Sequence, residues 1–239
     1  MPLVCSHGVQ LFFVHVPKTG GTSVEDYLSR RFGHLMLTDR NKHRNIPRTG
    51  LISPITHLSA VDLEEFVAEN IDLCFAVVRD PVKRIVSEFR YQLSAPSRTS
   101  QLGFSNWLRI MVRCAKSEPR VYENHIRTQS QMIPESSEIY KLEDGFDKLI
   151  ESIDQVTKSS QPDVQVLHKN SSEKKVQVTL TCEDIELITD YYAEDFSRFD
   201  YPVPSPADYP TDPYAPMRSL VGTVLAPSLI RKQRRDWLR

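Results

Sequence analysis

Lys18, Thr22 and Ser23, with Gly20 and Gly21 between them, are residue types that together hold an anion. They close the stretch LFFVHVPKTGGTS, Leu11 to Ser23. The run Leu11–Val16 is apolar and reads as a buried parallel strand. Pro17 ends it, and a helical pattern begins at Val24, Tyr27 and Leu28. A strand that breaks into a glycine-containing loop and then a helix aims the unpaired N–H groups of the helix N-terminus at a ligand, where the helix dipole favours negative charge. Gly20 and Gly21 let the backbone approach closely, Lys18 supplies a point charge, and Thr22 and Ser23 supply hydroxyl donors. The loop is not the nucleoside-triphosphate pattern G-x-x-x-x-G-K-[ST], which puts its lysine after the last glycine. Here Lys18 precedes both.

A second apolar run, Ile71 to Val78, predicts a central strand and leads into Arg79-Asp80-Pro81 and the helical stretch VKRIVSEFRYQL. Proline is tolerated in the first turn of a helix, and aspartate before it is a capping residue. Ser87 follows Arg79 by eight residues, about two helical turns. Arginine suits a phosphate because its planar fork donates two hydrogen bonds at once. Arg84 and Glu88 fit solvated helix charges instead, the more common fate of such residues.

HVPKTGGTS followed by R-D-P-V-x-R-x-x-S-x-F resembles the 5′-phosphosulfate and 3′-phosphate sites of sulfotransferases that use 3′-phosphoadenosine 5′-phosphosulfate (PAPS), most closely the branch with the carbohydrate 2-O-, 4-O- and 6-O-sulfotransferases. The resemblance covers roughly residues 10–202. It implies that Lys18, Thr19, Gly20, Gly21, Thr22 and Ser23 hold the phosphosulfate, and that Arg79 and Ser87 hold the 3′-phosphate. ENHIRTQS, from Glu123 to Ser130, resembles the family segment near the acceptor, which puts His125 and Gln129 on the substrate side. DIELITDYYAEDFSRFDY resembles the closing helix, with Tyr192, Asp195 and Phe196. His168 to Ser172 resembles the late loop over the nucleotide, where Lys169 would add charge; a plain polar turn is the competing account.

Sulfuryl transfer takes a proton from the acceptor hydroxyl and puts charge on the leaving phosphate. Lys18 is the expected cation for that phosphate. His57, in ITHLS between the two motifs, is the expected general base, as the resemblance implies for a histidine in this interval. An imidazole titrating near about 6.5 suits the task. The bland alternative is a loop histidine that caps the following helix or bonds a backbone carbonyl. His125 is the rival base. His15, in the first strand, reads as structural or as a contact to the glycine loop. The loop cations Arg40, Lys42, His43, Arg44 and Arg48 face either solvent or an anionic acceptor.

These residues need a frame. At 239 residues and 40% hydrophobic, the chain can bury one sizeable core. Strands are expected at 10–16, 73–78 and 164–168, and helices at 23–31, 60–69, 82–93, 104–116, 144–156 and 182–196. The alternation predicts an α/β fold, a central parallel sheet flanked by helices; the resemblance makes it the P-loop-like sulfotransferase fold. Residues 1–202 form the expected catalytic domain. Residues 203–239 form a tail, proline-rich and then basic, whose seven prolines from Pro202 to Pro227 argue against a long helix. The tail is expected to wrap the surface or to join a homo-oligomer.

A net charge of −1 excludes a global polyanion-binding surface, so no nucleic-acid partner is expected. The four cysteines form no C-x-x-C pair, and no metal cluster is visible, so no metal is expected. Cys74 reads as a small buried hydrophobe. No leader and no transmembrane run is seen. The chain therefore reads as soluble and cytoplasmic, or as a Golgi-lumenal domain if trimmed. The expected activity is O-sulfation of a hydroxylated acceptor, a saccharide, with adenosine 3′,5′-bisphosphate as the second product. A P-loop kinase or NTPase would need a Walker lysine and a magnesium-binding aspartate, and Asp80 before Pro81 is a poor one. A non-catalytic nucleotide- or glycan-binding relative would have no use for a base.

Overall fold

Residues 11–14 and 73–78 are apolar on both strand faces, and their strands form the middle of a four-stranded sheet. The computed structural model describes residues 1–38, 57–64, 71–94, 102–159, 164–166 and 176–237. Backbone contacts divide the chain into unit 1, Met1–Arg79 with Gln129–Ser171, and unit 2, Asp80–Thr128 with Ser172–Arg239. Unit 1 carries β1 (Leu3–Ser6), β2 (Val9–Val14), α1 (Gly21–Phe32), α2 (Ala60–Glu64), β3 (Leu73–Val78), β4 (Glu138–Lys141) and α5 (Asp147–Thr157). Unit 2 carries α3 (Pro81–Ser94), α4 (Phe104–Ser117), α6 (Cys182–Tyr191), α7 (Ala193–Arg198) and α8 (Ala215–Trp237).

In unit 1 the sheet order is β1-β2-β3-β4. β2 pairs parallel with β3, Val14 opposite Ala76, and β3 parallel with β4, Val78 opposite Lys141. The expected parallel centre is therefore present, but β1 runs antiparallel to β2 and makes the sheet mixed. His7 and Gly8 turn the chain between them, both left-handed at φ 51° and 82°, the twist a two-residue hairpin needs. Leu11, Phe13, Phe75 and Val77 pack against Val24, Tyr27 and Leu28 of α1 and Leu149 and Ile153 of α5. The alternate residues Phe12, Val14, Ala76 and Val78 are buried too. Burial on both faces is why these strands are continuous apolar runs rather than alternating ones. The strand expected at 164–168 is not found in its described part, residues 164–166 being irregular. Leu167 and His168, and residues 65–69 of the helix expected at 60–69, lie outside the described residues.

Unit 2 is built on α4, whose buried face includes Trp107, Leu108, Met111, Cys114 and Ala115. α6 is closed by a capping box, in which Thr181 Oγ1 accepts from the Asp184 N–H while the Asp184 carboxylate accepts from the Thr181 N–H. That carboxylate also accepts from Ser105 Oγ at 2.7 Å and Arg109 Nη1 at 2.7 Å, with Asp184 fully buried. The single helix expected over 182–196 is broken at Tyr192 into α6 and α7.

The tail departs from expectation, because α8 is a 23-residue helix. The prolines up to Pro213 precede it, and Pro216 is its second residue, where no N–H is missed. Only Pro227 lies inside. Packing on α4 offsets its cost of about 3 kcal/mol. Ala226 is 1% exposed and its carbonyl faces Cys114 Sγ, Gly222 lies against Arg109, and Arg113 Nη1 donates to Thr223 Oγ1 at 2.6 Å.

The four cysteines are free thiols. Cys74 is half-buried in β3 with its Sγ 3.3 Å from Ser137 Oγ. Burial pushes the Cys114 thiol up to about 11, so it carries almost no thiolate at pH 8. Iodoacetamide at that pH is expected to modify exposed Cys5 and to spare Cys114 in the folded protein, read by peptide mass.

Asp184→Ala strands Arg109 and removes the cap, and is expected to cost about 3–5 kcal/mol in urea unfolding. Thr181→Ala removes the cap alone and should cost about 1 kcal/mol. Asp190→Ala, which breaks an exposed pair with Lys116, should leave the midpoint unchanged.

Candidate functional site

The parallel register of β2 and β3 brings the ends of both strands to one edge of the sheet, and both sequence motifs begin there. In unit 1, Lys18 is half-buried and left-handed at φ 69°. Its carbonyl accepts a hydrogen bond from Arg79 Nη1 at 3.3 Å, so residues 61 positions apart meet at the loop. Gln129, fully buried, grips the Arg79 backbone from both sides. Its Oε1 accepts from the Arg79 N–H at 3.0 Å, and its Nε2 donates to the Arg79 carbonyl at 2.8 Å. The amide thus stands in for a neighbouring strand just beyond the end of β3.

Gly20 is left-handed at φ 89° and is the N-cap of α1; no side chain caps this helix and no acidic residue lies in its first turn. The loop therefore keeps its positive end uncompensated by side chains. Thr19 is fully buried and turns its hydroxyl onto the Val16 carbonyl at 3.0 Å, which leaves its backbone as what it can offer a ligand. Thr22 is exposed and Ser23 buried. A Cβ on Gly21 would fall 2.0 Å from His15 Nε2, so the His15 ring occupies the space a side chain would fill. His15 is held there by Nδ1 donating to Glu25 Oε1 at 2.7 Å. Glu25 was not singled out in the sequence; its only signal is a carboxylate one turn into the helix that follows the loop.

His57 donates from Nδ1 to the His15 carbonyl at 3.2 Å, with the two rings edge-on at 5.0 Å. A carbonyl can only accept, so the proton sits on Nδ1 and the neutral ring keeps its lone pair on Nε2. Helix capping falls to the next-but-one residue. The Ser59 backbone N–H and hydroxyl both donate to Asp62 Oδ2, at 2.9 and 2.6 Å. The capping alternative for His57 is thereby removed, while the carbonyl bond is present.

In unit 2, Asp80 caps α3 as expected, its Oδ1 accepting from the Lys83 N–H at 2.8 Å. Ser87 is 6% exposed and Arg84 2% exposed on that helix. Arg84 is no solvated charge: it donates to the carbonyls of Arg127 at 3.0 Å and His125 at 3.2 Å. Glu88 is likewise buried, with Oε2 accepting from His125 Nδ1 at 2.8 Å. Tyr192 donates its hydroxyl to the Ile126 carbonyl at 2.9 Å, and Asp195 and Phe196 are buried. Lys169 and the cations Arg40, Lys42, His43, Arg44 and Arg48 lie outside the described residues. No group of three or more metal-ligating side chains occurs among the described residues, nor does any helix there have the length and apolarity to cross a membrane.

The sulfotransferase family model matches residues 2–202, and the chain belongs to that family. No curated protein and no solved structure matches it. Membership makes sulfuryl transfer the chemistry of this family's fold.

Gly21→Ala is expected to lower the melting temperature, because the new Cβ meets the imidazole of His15. The double variant Gly21→Ala/His15→Ala should recover part of that loss, since the obstructing ring is gone. A double-mutant cycle in urea measures the coupling.

Proposed function

We propose that the protein transfers the sulfuryl group of PAPS to a hydroxyl of a saccharide acceptor, through residues of its 1–202 domain. The observation that carries this reading is the meeting of the two motifs at one loop. Arg79 donates to the backbone of Lys18 beside an α-helix N-terminus that no side chain caps. A loop that binds only a 5′-phosphate has no use for an arginine fork from the next strand. A nucleotide that also carries a 3′-phosphate does.

In this mechanism the acceptor oxygen attacks sulfur in line as the bond from sulfur to the bridging phosphate oxygen breaks. The hydroxyl proton passes to Nε2 of His57, and the electron pair leaves on adenosine 3′,5′-bisphosphate. The transition state is loose, so position and charge do most of the work. Lys18 and the first N–H groups of α1 neutralise the departing phosphate. Arg79 and Ser87 take the 3′-phosphate, and Gln129 keeps Arg79 at its post. Lys169 adds charge from the late loop, and His125 contacts the acceptor.

Adenosine 3′,5′-bisphosphate should raise the melting temperature by mass action on the folded state. ATP should do so far less, and Arg79→Ala should abolish the difference. Equal stabilisation by ATP with magnesium would sink the reading in favour of a kinase. With radiolabelled PAPS and a saccharide panel, transfer should persist in EDTA. His57→Ala should lower kcat about 10²–10⁴-fold, the range of a lost general base, with bisphosphate stabilisation retained. Near-normal turnover in His57→Ala, with loss in His125→Ala, would transfer the base to His125.

A further inference from the structure

We propose that α8 docks on the surface of an anionic lipid bilayer, with Met217, Leu220 and Val224 entering the acyl boundary and the basic end of the helix held at the headgroups. The proposal is independent of the transfer reaction.

Helix geometry separates two faces of α8. At about 100° per residue, Gly222 and Ala226 point the same way, one turn apart. Both are buried, and that way is α4: Gly222 lies against Arg109, and the Ala226 carbonyl faces Cys114 Sγ. Val224 is two residues from each, so it lies on the opposite side. Met217, Leu220 and Val224 follow one another at spacings of three and four residues and share that outer face. They are 68%, 65% and 66% exposed. Tyr214, one turn before Met217, is exposed as well. The helix is thus apolar on two opposite sides, and α4 covers one of them.

Charge identifies what fits the other. Arg231 lies seven residues after Val224, about two turns on and on the same face. Arg231 and Lys232 are exposed, and Arg231 Nε donates to the Pro227 carbonyl at 3.3 Å rather than to a carboxylate. Arg234 and Arg235 follow in the sequence. From Pro213 to Arg239 there is one acidic residue, Asp236, against six basic ones, so this end of the chain is positive although the whole carries −1. Its complement is an anionic surface.

An acidic polysaccharide would meet the cations and leave the aliphatic stripe in water. A second copy would bring another stripe, but four side chains offer on the order of a few hundred Å², short of the roughly 800 Å² per partner of a stable interface. A fluid bilayer needs no matching groove. It admits a convex stripe, seats a tyrosine at headgroup level, and attracts Lys and Arg through its anionic lipids. No described helix is long and apolar enough to cross a membrane, so α8 lies in the interface rather than spanning it.

The test is flotation of the full chain with vesicles of phosphatidylcholine and phosphatidylserine in equal parts. The wild type should float with them, and at least about tenfold less with phosphatidylcholine alone. High salt should release most of it. Met217→Gln/Leu220→Gln/Val224→Gln should lower partitioning at least about tenfold, and Arg231→Gln/Lys232→Gln about tenfold. All five side chains are exposed, so neither variant should shift the melting temperature. Equal flotation with phosphatidylcholine alone overturns the proposal, as does flotation undiminished in the triple variant. A dimer in light scattering that the triple variant abolishes would give the face to a second copy. Binding to polyglutamate but not to the vesicles, lost in the same variant, would give it to an acidic protein. Either result overturns the bilayer.

Discussion

Parallel pairing of β2 with β3 is the constraint on which the candidate donor site depends. With Val14 opposite Ala76, the chain leaves both strands on the same edge of the sheet. Pro17 and Lys18 come off one strand and Arg79 off the other. A one-residue slip would send Phe13 and Phe75 to opposite faces, and the stacked pair they form at 5.2 Å would be lost. The apolar packing of α1 and α5 on that face therefore specifies the register. The register in turn decides whether the Arg79 guanidinium reaches the Lys18 carbonyl. Core packing and site geometry are one constraint at this edge.

Hydrogen-bond polarity imposes the second layer of order. His15, His57 and His125 each commit Nδ1 to an oxygen that can only accept in the arrangement found: Glu25, the His15 carbonyl and Glu88 respectively. In its neutral form each ring then holds its lone pair on Nε2. They differ in what the ring then meets. Nε2 of His15 lies against Gly21 at the start of α1, so that histidine shapes the loop. The proposed base, His57, takes its orientation from the backbone of His15, which links it to the residue that shapes the glycine loop.

Local signals made much of this legible. Strand-ending Pro17, the Gly20-Gly21 pair and the Asp80-Pro81 start of α3 are short-range devices, and β3 falls at the expected residues 73–78. β1 and β4 were missed because each has four residues, too few for a period to show, and β4 is partly exposed rather than apolar. The left-handed turn at His7-Gly8, a hairpin device, was the available hint for β1. α8 forms because the positions of the tail's prolines, not their number, decide the outcome. Six of the seven sit before the helix or in its first turn, and contacts with α4 offset the seventh. The clamp of Gln129 on Arg79, the His15–Glu25 pair and the Trp107–Gln92–Glu88 hydrogen bonds connect residues 50, 10 and 15 or 4 positions apart. Only the last spacing, a helical i,i+4 pair, leaves a trace in sequence.

Lys18 shows why the loop tolerates a side chain where glycine would be easier. Its backbone is left-handed at φ 69°, at a cost of roughly 1–2 kcal/mol for a residue with a Cβ. Glycine at 18 would remove that cost and with it the loop's ammonium group. The strain is held by what surrounds it. Thr19 fastens its hydroxyl to the Val16 carbonyl, Arg79 takes the Lys18 carbonyl, and Gly20 starts α1 from a second left-handed residue. Those bonds leave the loop backbone few other conformations at Lys18. In the proposed reaction a loop held in this way would put positive charge where a phosphate oxygen becomes more negative, without reorganisation at the moment of transfer.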